Sequence, residues 1–361
     1  MKDITSVHGH VSLKRRYRHC SDCNTYSFPV ESTLGLATLY TTALTRLATR
    51  CVGLWSYELA AENLEELAGI RLSDTTIANI AQETAGKIAD QMDDHPAFRE
   101  SFQKAKGETE FYMDGTFVHI LSADGTKEWR EMKLAAFVKR LLGESALPED
   151  WATRFLPKPL VVYAFAAILC KEEFQERCNI ERRRLGVGGV SSALGDGAKW
   201  IWNIIREVFG KTDECLDIYH ALEHVANCGK ALYGEGEPFT SWLDKMRLVL
   251  LSEGFSGMER EMQLLLETLK GKGKKQQLQR EAVESLRDYL LGNAERLNYC
   301  ERLAAGRPIG SGLIEGACKN LVGRRLKQTG APWRLERANR MALVCSLLYA
   351  NQWKLYWKNS H

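Results

Sequence analysis

Apolar residues recur at spacings of three and four through residues 34–90, which is the pattern of amphipathic helices. Gly69 allows a left-handed turn at the end of one predicted helix, and Ser73 or Asp74 caps the next. The spacing is that of a helix-turn-helix, whose second helix enters a DNA major groove. Two-helix corners are also common in proteins that bind no DNA, so the pattern leaves both interpretations open.

Strand patterns begin at residue 110, where aromatic and β-branched residues become frequent. Gly125 lies in the turn of a predicted hairpin, and a long helical region extends from 221 to about 300. From residue 110 to this helical region the sequence predicts three strands, a helix, a strand, a helix and a strand, and the first two strands form the hairpin. In order these are EFYMDGTFVHILS, WREMKLAAFVKR, PLVVYAFAAILC, EEFQERCNIERRRLG, VSSALGDGA, KWIWNIIREVFG and ECLDIYH. The order predicts an α/β fold, a mixed sheet flanked by helices, and resembles the ribonuclease H fold.

The composition is that of a globular protein. Of the 361 residues 45% are hydrophobic, which can fill a core and excludes wholesale disorder, and the length suggests about two or three domains. No run of ~18 apolar residues occurs, and no hydrophobic signal region opens the sequence. We therefore expect a cytosolic protein without membrane association, with its ten cysteines reduced.

The net charge of +3 conceals an uneven distribution. Residues 301–361 hold eleven Lys or Arg against three Asp or Glu, and residues 1–30 hold five against two. Residues 31–300 hold 33 against 41 and are acidic overall. Basic ends around an acidic centre favour a polyanionic partner, although a solvated basic surface would give the same pattern.

Cys20 and Cys23 could form one knuckle of a zinc ribbon, in which two thiolates hold one side of a tetrahedral zinc. A closed structural site needs four ligands, and no second Cys-x-x-Cys exists. His8 and His10 are poorly spaced to replace it. The pair is either half of a site or inert.

Three carboxylates stand out by position. Asp114 lies within an apolar strand, Asp196 lies at the end of the fourth strand between two glycines, and Glu315 lies in the first turns of a helix that Ser311 can cap. A buried carboxylate requires a partner or a metal. If the three converge, they form an oxygen cage for two magnesium ions about 3.5–4 Å apart, as in phosphodiester transfer. The alternative is that each one is an ordinary cap or turn residue.

The helix beyond Glu315 is basic. Lys319 lies one turn further on, where it shares a helix face with the glutamate and could contact a phosphate. Arg324, Arg325 and Lys327 follow, and we predict that all four cations contact DNA.

A rival pattern is His-x-x-Glu-His at His220, Glu223 and His224, the inverted signature of zinc peptidases. Two histidines four residues apart can hold zinc on one helix face, with Glu223 as general base. Glu295 would be the third ligand. This interpretation leaves Asp114 and the basic C-terminal segment without a role.

The chain resembles insertion-sequence DDE transposases of the bacterial ISKra type, which are related to Mutator-like transposases. The matching segments are MDGT, LGDGAKWIW, LDIYHALEH and RPIGSGLIEGACKNLVGRRLKQTG. The resemblance implies that Asp114, Asp196 and Glu315 form the catalytic, metal-binding triad. It also implies that Asp217 and His220 form a D-x-x-H signature beside the site.

The resemblance implies a DNA transposase that cleaves strands at element ends and transfers them through a 3′ hydroxyl. Its cofactor would be two Mg ions, for which Mn can substitute. Its partners would be element ends and target DNA, bound by a homo-oligomer at the bacterial nucleoid. Relatives carry an earlier Cys-x-x-Cys pair, so we expect an N-terminally shortened copy with an incomplete zinc site. The alternatives are a catalytically idle DNA-binding remnant and a zinc metallopeptidase.

The predicted division of the chain places a helical insertion before the catalytic glutamate, because the gap after Asp196 exceeds what the core needs. The regions are 1–30, a residual half zinc ribbon or basic arm; 31–107, a helical DNA-binding region; 108–224, the first part of a ribonuclease H-like core; 225–303, the helical insertion; and 304–361, the glutamate helix and basic C-terminal helices.

Overall fold

The computed structural model describes residues 1–33, 36, 39–92, 95–271, 273–328 and 330–358. The strands are β1 (Lys2–Ser6), β2 (Gly9–Leu13), β3 (Arg18–Cys20), β4 (Thr25–Ser27), β5 (Glu108–Leu121), β6 (Lys127–Arg140), β7 (Val161–Ala167), β8 (Ser192–Gly195) and β9 (Glu214–Leu216). The helices are α1 (Pro29–Thr33), α2 (Thr42–Leu54), α3 (Tyr57–Ala68), α4 (Asp74–Gln91), α5 (Pro96–Lys104), α6 (Lys171–Leu185), α7 (Lys199–Phe209), α8 (Ile218–Tyr233), α9 (Glu237–Thr268), α10 (Lys274–Leu291), α11 (Tyr299–Ala304), α12 (Gly312–Ala317), α13 (Leu335–Tyr349) and α14 (Trp353–Lys358). A π-helical segment, Cys318–Lys327, continues α12.

Strands β5 to β9 form one mixed sheet in the order β7-β6-β5-β8-β9. β5, β6 and β7 pair antiparallel, whereas β8 joins β5 in parallel and β9 joins β8 in parallel. Gly125, at φ 87°, lies in the turn between β5 and β6, where the sequence predicts it. The predicted α/β class with a mixed sheet and flanking helices is confirmed.

Side chains of β5 alternate between the two faces of the sheet. Phe111 and its register partner Phe137 lie on one face, where the ring of Phe209 from α7 packs 4.9 Å from that of Phe111. Tyr112 and Asp114 lie on the other face. The strand therefore buries Phe111 under α7 and presents Asp114 on the opposite side.

The parallel register brings three aspartates into a row. Met113 of β5 pairs with Gly195 of β8, and Asp114 and Asp196 directly follow these two positions. Asp217 follows the residue of β9 that pairs with Gly195. Neighbouring strands lie about 4.8 Å apart, so the three carboxylates collect where β8 and β9 end, beside the middle of β5.

The predicted corner between α3 and α4 is confirmed. Gly69 ends α3 in the left-handed region at φ 65°, and the hydroxyl of Ser73 accepts a hydrogen bond from the Thr76 amide at the start of α4. Residues 34, 35, 37 and 38 of the predicted helical stretch lie outside the described residues. Among the described residues, the first helix of this stretch is α2, capped by Thr41.

The predicted strand ECLDIYH is wrong in its second half. β9 ends at Leu216, and α8 begins at Ile218. The cause is Asp217, whose carboxylate accepts hydrogen bonds from the amides of Tyr219 and His220 and so starts the helix. Asp217 and His220 therefore lie within one helical turn of each other.

The C-terminal segment is held against the sheet by backbone pairing. The amide of Leu121 donates to the carbonyl of Trp333, and the amide of Trp333 donates to the carbonyl of His119. This contact lies between the π-helical segment and α13, and Lys327 of that segment reaches the Thr116 hydroxyl of β5.

Among the described residues, no helix combines the length and the apolar character that a membrane crossing requires. The stretch 225–303 is mainly helical, in α8 to α11, as its sequence predicts.

Candidate active site

Two of the predicted carboxylates converge with a histidine. One ligand atom each from Asp114, Asp196 and His220 lies within 4.8 Å of the others. Asp114 comes from β5, Asp196 follows β8, and His220 lies in the first turn of α8. These three side chains border a cavity of about 890 Å³, which we call the carboxylate cavity.

Asp114 is only 8% exposed. Its Oδ1 accepts a hydrogen bond of 2.7 Å from the Gly115 amide, and its Oδ2 accepts one of 3.1 Å from the Cys318 thiol. Burial raises the pKa of Asp114 above its ordinary value, although both of these hydrogen bonds act to lower it. Among the described residues Asp114 forms no ion pair with Lys or Arg, so a bound cation would stabilise this buried carboxylate.

Asp196 is held by the turn that follows β8. Its Oδ1 accepts a hydrogen bond of 2.8 Å from the Ala198 amide. At Gly197 a Cβ would lie 2.5 Å from the ring of Tyr289, so a side chain there would collide with α10. The glycine thus lets the helical region 225–303 approach the carboxylate closely.

Glu315 borders the carboxylate cavity, but its carboxylate lies outside the group formed by the two aspartates and His220. It forms an ion pair of 2.5 Å with Lys319, one helical turn further on. The predicted cage of three carboxylates is therefore not assembled in this structure. The lysine that the sequence assigns to DNA instead engages the glutamate.

Asp217 is 1% exposed and joins two parts of the site. Its Oδ1 accepts a hydrogen bond of 2.6 Å from the Tyr219 amide, and its Oδ2 accepts one of 2.6 Å from the Ser311 amide and another from the Ser311 hydroxyl. Burial raises the pKa of Asp217, while the Ser311 amide lowers it. The prediction that the Ser311 side chain caps its own helix is therefore wrong: the side chain ties that helix to the start of α8 instead.

We expect Asp217→Ala to lower the free energy of unfolding by about 3 kcal/mol, because it removes a helix cap and several buried hydrogen bonds to a charged group. Urea unfolding followed by circular dichroism measures the change. The matched variant Ser311→Ala removes only one of these partners and should cost less. A loss under about 1 kcal/mol for Asp217→Ala would contradict this role.

Three of the four predicted DNA contacts, Lys319, Arg324 and Lys327, line the carboxylate cavity. Lys327 donates a hydrogen bond of 2.9 Å to the Thr116 hydroxyl on β5. These cations therefore face the same space as the aspartates.

The prediction that Arg325 contacts DNA is wrong, since this side chain is 2% exposed. Its guanidinium lies 4.5 Å from the ring centroid of Tyr57 and 4.7 Å from that of Trp333. Its Nε donates a hydrogen bond of 2.5 Å to the Val52 carbonyl. Arg325 thus packs the π-helical segment onto α2 and α3 instead of facing solvent.

Cys20 and Cys23 lie at the tip of the β3–β4 hairpin and are both exposed. Within the described ranges, no third His, Cys, Asp or Glu joins them in a group that could hold a metal. A closed zinc site is therefore not formed there.

The residues of the peptidase pattern separate in space. His220 joins the aspartates, whereas the ring of His224 stacks on Tyr289 with centroids 3.6 Å apart. Glu295 borders a different cavity, with Arg206 and Asn298. The His-x-x-Glu-His pattern thus does not assemble a zinc site in the described part of the chain.

The sequence predicts His220 only beside the site and assigns no role to Cys318. The D-x-x-H spacing was the signal for His220. For Cys318 the signal was its position three residues after Glu315, which puts both on one helix face.

No protein-family model matches this sequence, and no curated protein matches it.

Proposed function

We propose that this protein is a DNA transposase of the DDE type, encoded by an insertion sequence, which cleaves strands at element ends and joins them to target DNA. The observation that carries the proposal is the convergence of Asp114 and Asp196 from neighbouring parallel strands, with ligand atoms within 4.8 Å of His220. Lysine and arginine side chains border the same cavity. Carboxylates that bind metal beside cations that bind phosphate are what phosphodiester chemistry needs.

The sheet supports a ribonuclease H-like core. Of the five strands of this sheet, the antiparallel strands β5, β6 and β7 come first in the chain. The parallel strands β8 and β9 then extend the sheet from β5. Strand β5 is central and carries Asp114, and its neighbour β8 leads into Asp196. The proposed core would thus place its first two acidic residues side by side.

The donor atoms fit a divalent cation. Two carboxylates suit magnesium, and the His220 imidazole makes manganese an equally good occupant. Asp114 and Asp196 would hold the ion, and Glu315 would complete the set once DNA phosphates draw Lys319 away from it. When bound, such ions supply activation of the attacking oxygen and stabilisation of the leaving oxygen.

The remaining residues of the carboxylate cavity would position the DNA. Lys319, Arg324 and Lys327 would bind backbone phosphates, which fixes the strand without reading its sequence. The α3–α4 corner is a candidate for recognition of element ends. We propose that the protein acts as a homo-oligomer on DNA, so that each of the two element ends meets its own active site.

A nicking assay on end-containing DNA tests the proposal, with magnesium or manganese added to the purified protein. The transposase should nick only when metal is present. Binding without nicking under all metal conditions would overturn the catalytic proposal and leave a DNA-binding remnant. Absence of binding would overturn both.

We expect DNA affinity to fall steeply with salt, since phosphate contacts release counterions. Replacing Lys319, Arg324 and Lys327 together by Ala should flatten the slope of log affinity against log salt by about 2.7, at about 0.9 for each contact. Fluorescence anisotropy at several salt concentrations measures this slope. Arg280→Ala is the control, because this exposed arginine of α10 pairs with Glu284. An unchanged slope in the triple variant would contradict the assignment.

A further inference from the structure

A second cavity adjoins the carboxylate cavity, and the proposed function assigns it no role. It has a volume of about 670 Å³ and is lined by residues of β5, β6 and β7, the 151–159 segment, the start of α8, the 308–313 segment and the 349–351 segment. Tyr219 borders both cavities. The side chain is 53% exposed, so its ring is available to a ligand at the boundary.

The position of the second cavity follows from the pleat of β5. Tyr112 lines it, and Asp114, two residues further along the same face, lines the carboxylate cavity. Two residues of a strand span roughly 7 Å. A strand of nucleic acid held over the carboxylates would therefore reach the second cavity within about one extended nucleotide.

The charges of the lining suit an anion. Arg154 and Lys158 line it, and among the described lining residues none is Asp or Glu. Lys158 is exposed and forms no ion pair with any described residue, while Arg154 donates a hydrogen bond of 2.8 Å to the Arg307 carbonyl. The carboxylate cavity differs, since five acidic residues border it beside Lys319, Arg324 and Lys327.

Aromatic rings provide a stacking surface in the same place. The rings of Trp151 and Tyr219 lie 5.9 Å apart between centroids, tilted by 52°. At Gly310 a Cβ would lie 2.8 Å from the ring of Tyr219, so the absence of a side chain lets this ring rest on the backbone. The ring of Tyr219 thus contacts Trp151 and lies close to the Gly310 backbone at the boundary of the two cavities.

We infer that the second cavity binds an unpaired nucleotide of the DNA strand whose neighbouring phosphate lies over Asp114 and Asp196. The base stacks on Tyr219 and Trp151, and the phosphate pairs with Lys158 and Arg154. The volume fits a small ligand such as one nucleotide and is too small for a duplex. This inference rests on the proposed function, which supplies the strand in the carboxylate cavity.

The test compares two DNA ligands in EDTA, where no cleavage occurs: a blunt duplex and the same duplex with a short thymidine overhang. Tyr219→Ala should weaken binding of the overhang duplex by about tenfold, the loss of one stacked base, and leave the blunt duplex unaffected. Tyr219→Phe should bind like the unmodified protein. Fluorescence anisotropy measures each affinity.

The matched control is Tyr233→Ala. Tyr233 lies on the same helix, is 42% exposed and contacts Trp242 with centroids 5.8 Å apart, much as Tyr219 contacts Trp151. It lies about 21 Å from Tyr219 along α8, at 1.5 Å per residue. This variant should bind both duplexes like the unmodified protein.

Equal losses on both duplexes, or no loss on either, in Tyr219→Ala would overturn the nucleotide site and leave the proposed function standing. Competition by free thymidine monophosphate gives its affinity for the protein. If this affinity equals that of the overhang duplex, the nucleotide site on the DNA strand is overturned in favour of a mononucleotide site. Failure of the unmodified protein to bind either duplex would overturn the proposed function together with the inference.

Discussion

Asp196→Asn is expected to slow metal-dependent nicking of end-containing DNA by about a thousandfold, because metal stabilisation of the transition state is worth several kcal/mol. The substitution keeps the shape of the side chain and an oxygen that can accept from the Ala198 amide, so the fold should persist. Gel analysis of supercoiled and nicked DNA measures the rate. DNA affinity, measured without metal, should change little.

The control for this prediction is Asp288→Asn, on the exposed side of α10. It makes the same chemical change away from the carboxylate cavity and should nick at the unmodified rate. If Asp196→Asn nicks at that rate too, neither the aspartate pair nor the proposed transposase chemistry can stand as described.

Arg325→Ala is expected to lower the free energy of unfolding by about 4 kcal/mol, since it removes a buried hydrogen bond from a charged group and two contacts with aromatic faces. The Val52 carbonyl would lose its partner, and the rings of Tyr57 and Trp333 would border a void. Thermal and urea unfolding measure the loss. Arg325→Met fills most of the volume without a charge and should cost less.

The neighbouring residue provides the matched comparison. Arg324 is exposed and lines the carboxylate cavity, so Arg324→Ala should weaken DNA binding and leave stability nearly unchanged. The two adjacent arginines are thus expected to have opposite phenotypes. A stable Arg325→Ala protein with weakened DNA binding would show that the burial of Arg325 is misassigned.

Much of the fold is predictable from local pattern. The α3–α4 corner follows from Gly69 and Ser73, and the β5–β6 hairpin follows from Gly125, because these residues act on the backbone within a few positions. The wrong prediction of a strand at 218–220 also has a local cause. The segment is apolar enough for a strand, but the carboxylate of Asp217 satisfies two amides and begins a helix.

The site is predictable only in part. Asp114 and Asp196 stand out because a carboxylate in an apolar strand needs compensation, and the structure brings the two together. Glu315 reaches the same cavity, yet its ion pair with Lys319 depends on side-chain positions that the spacing of four residues permits but does not require.

The sequence by itself determined the order of the five sheet strands and their flanking helices and singled out Asp114 and Asp196, since periodicity, capping and the cost of a buried charge are read within one segment. Only the tertiary structure decided that His220 joins those aspartates, that Arg325 lies between two rings and that Tyr219 borders two cavities. Each of these depends on which distant segments pack together. The adjacent residues Arg324 and Arg325 have the same local chemistry. Only the residues that pack around them make one a surface cation and the other a buried one.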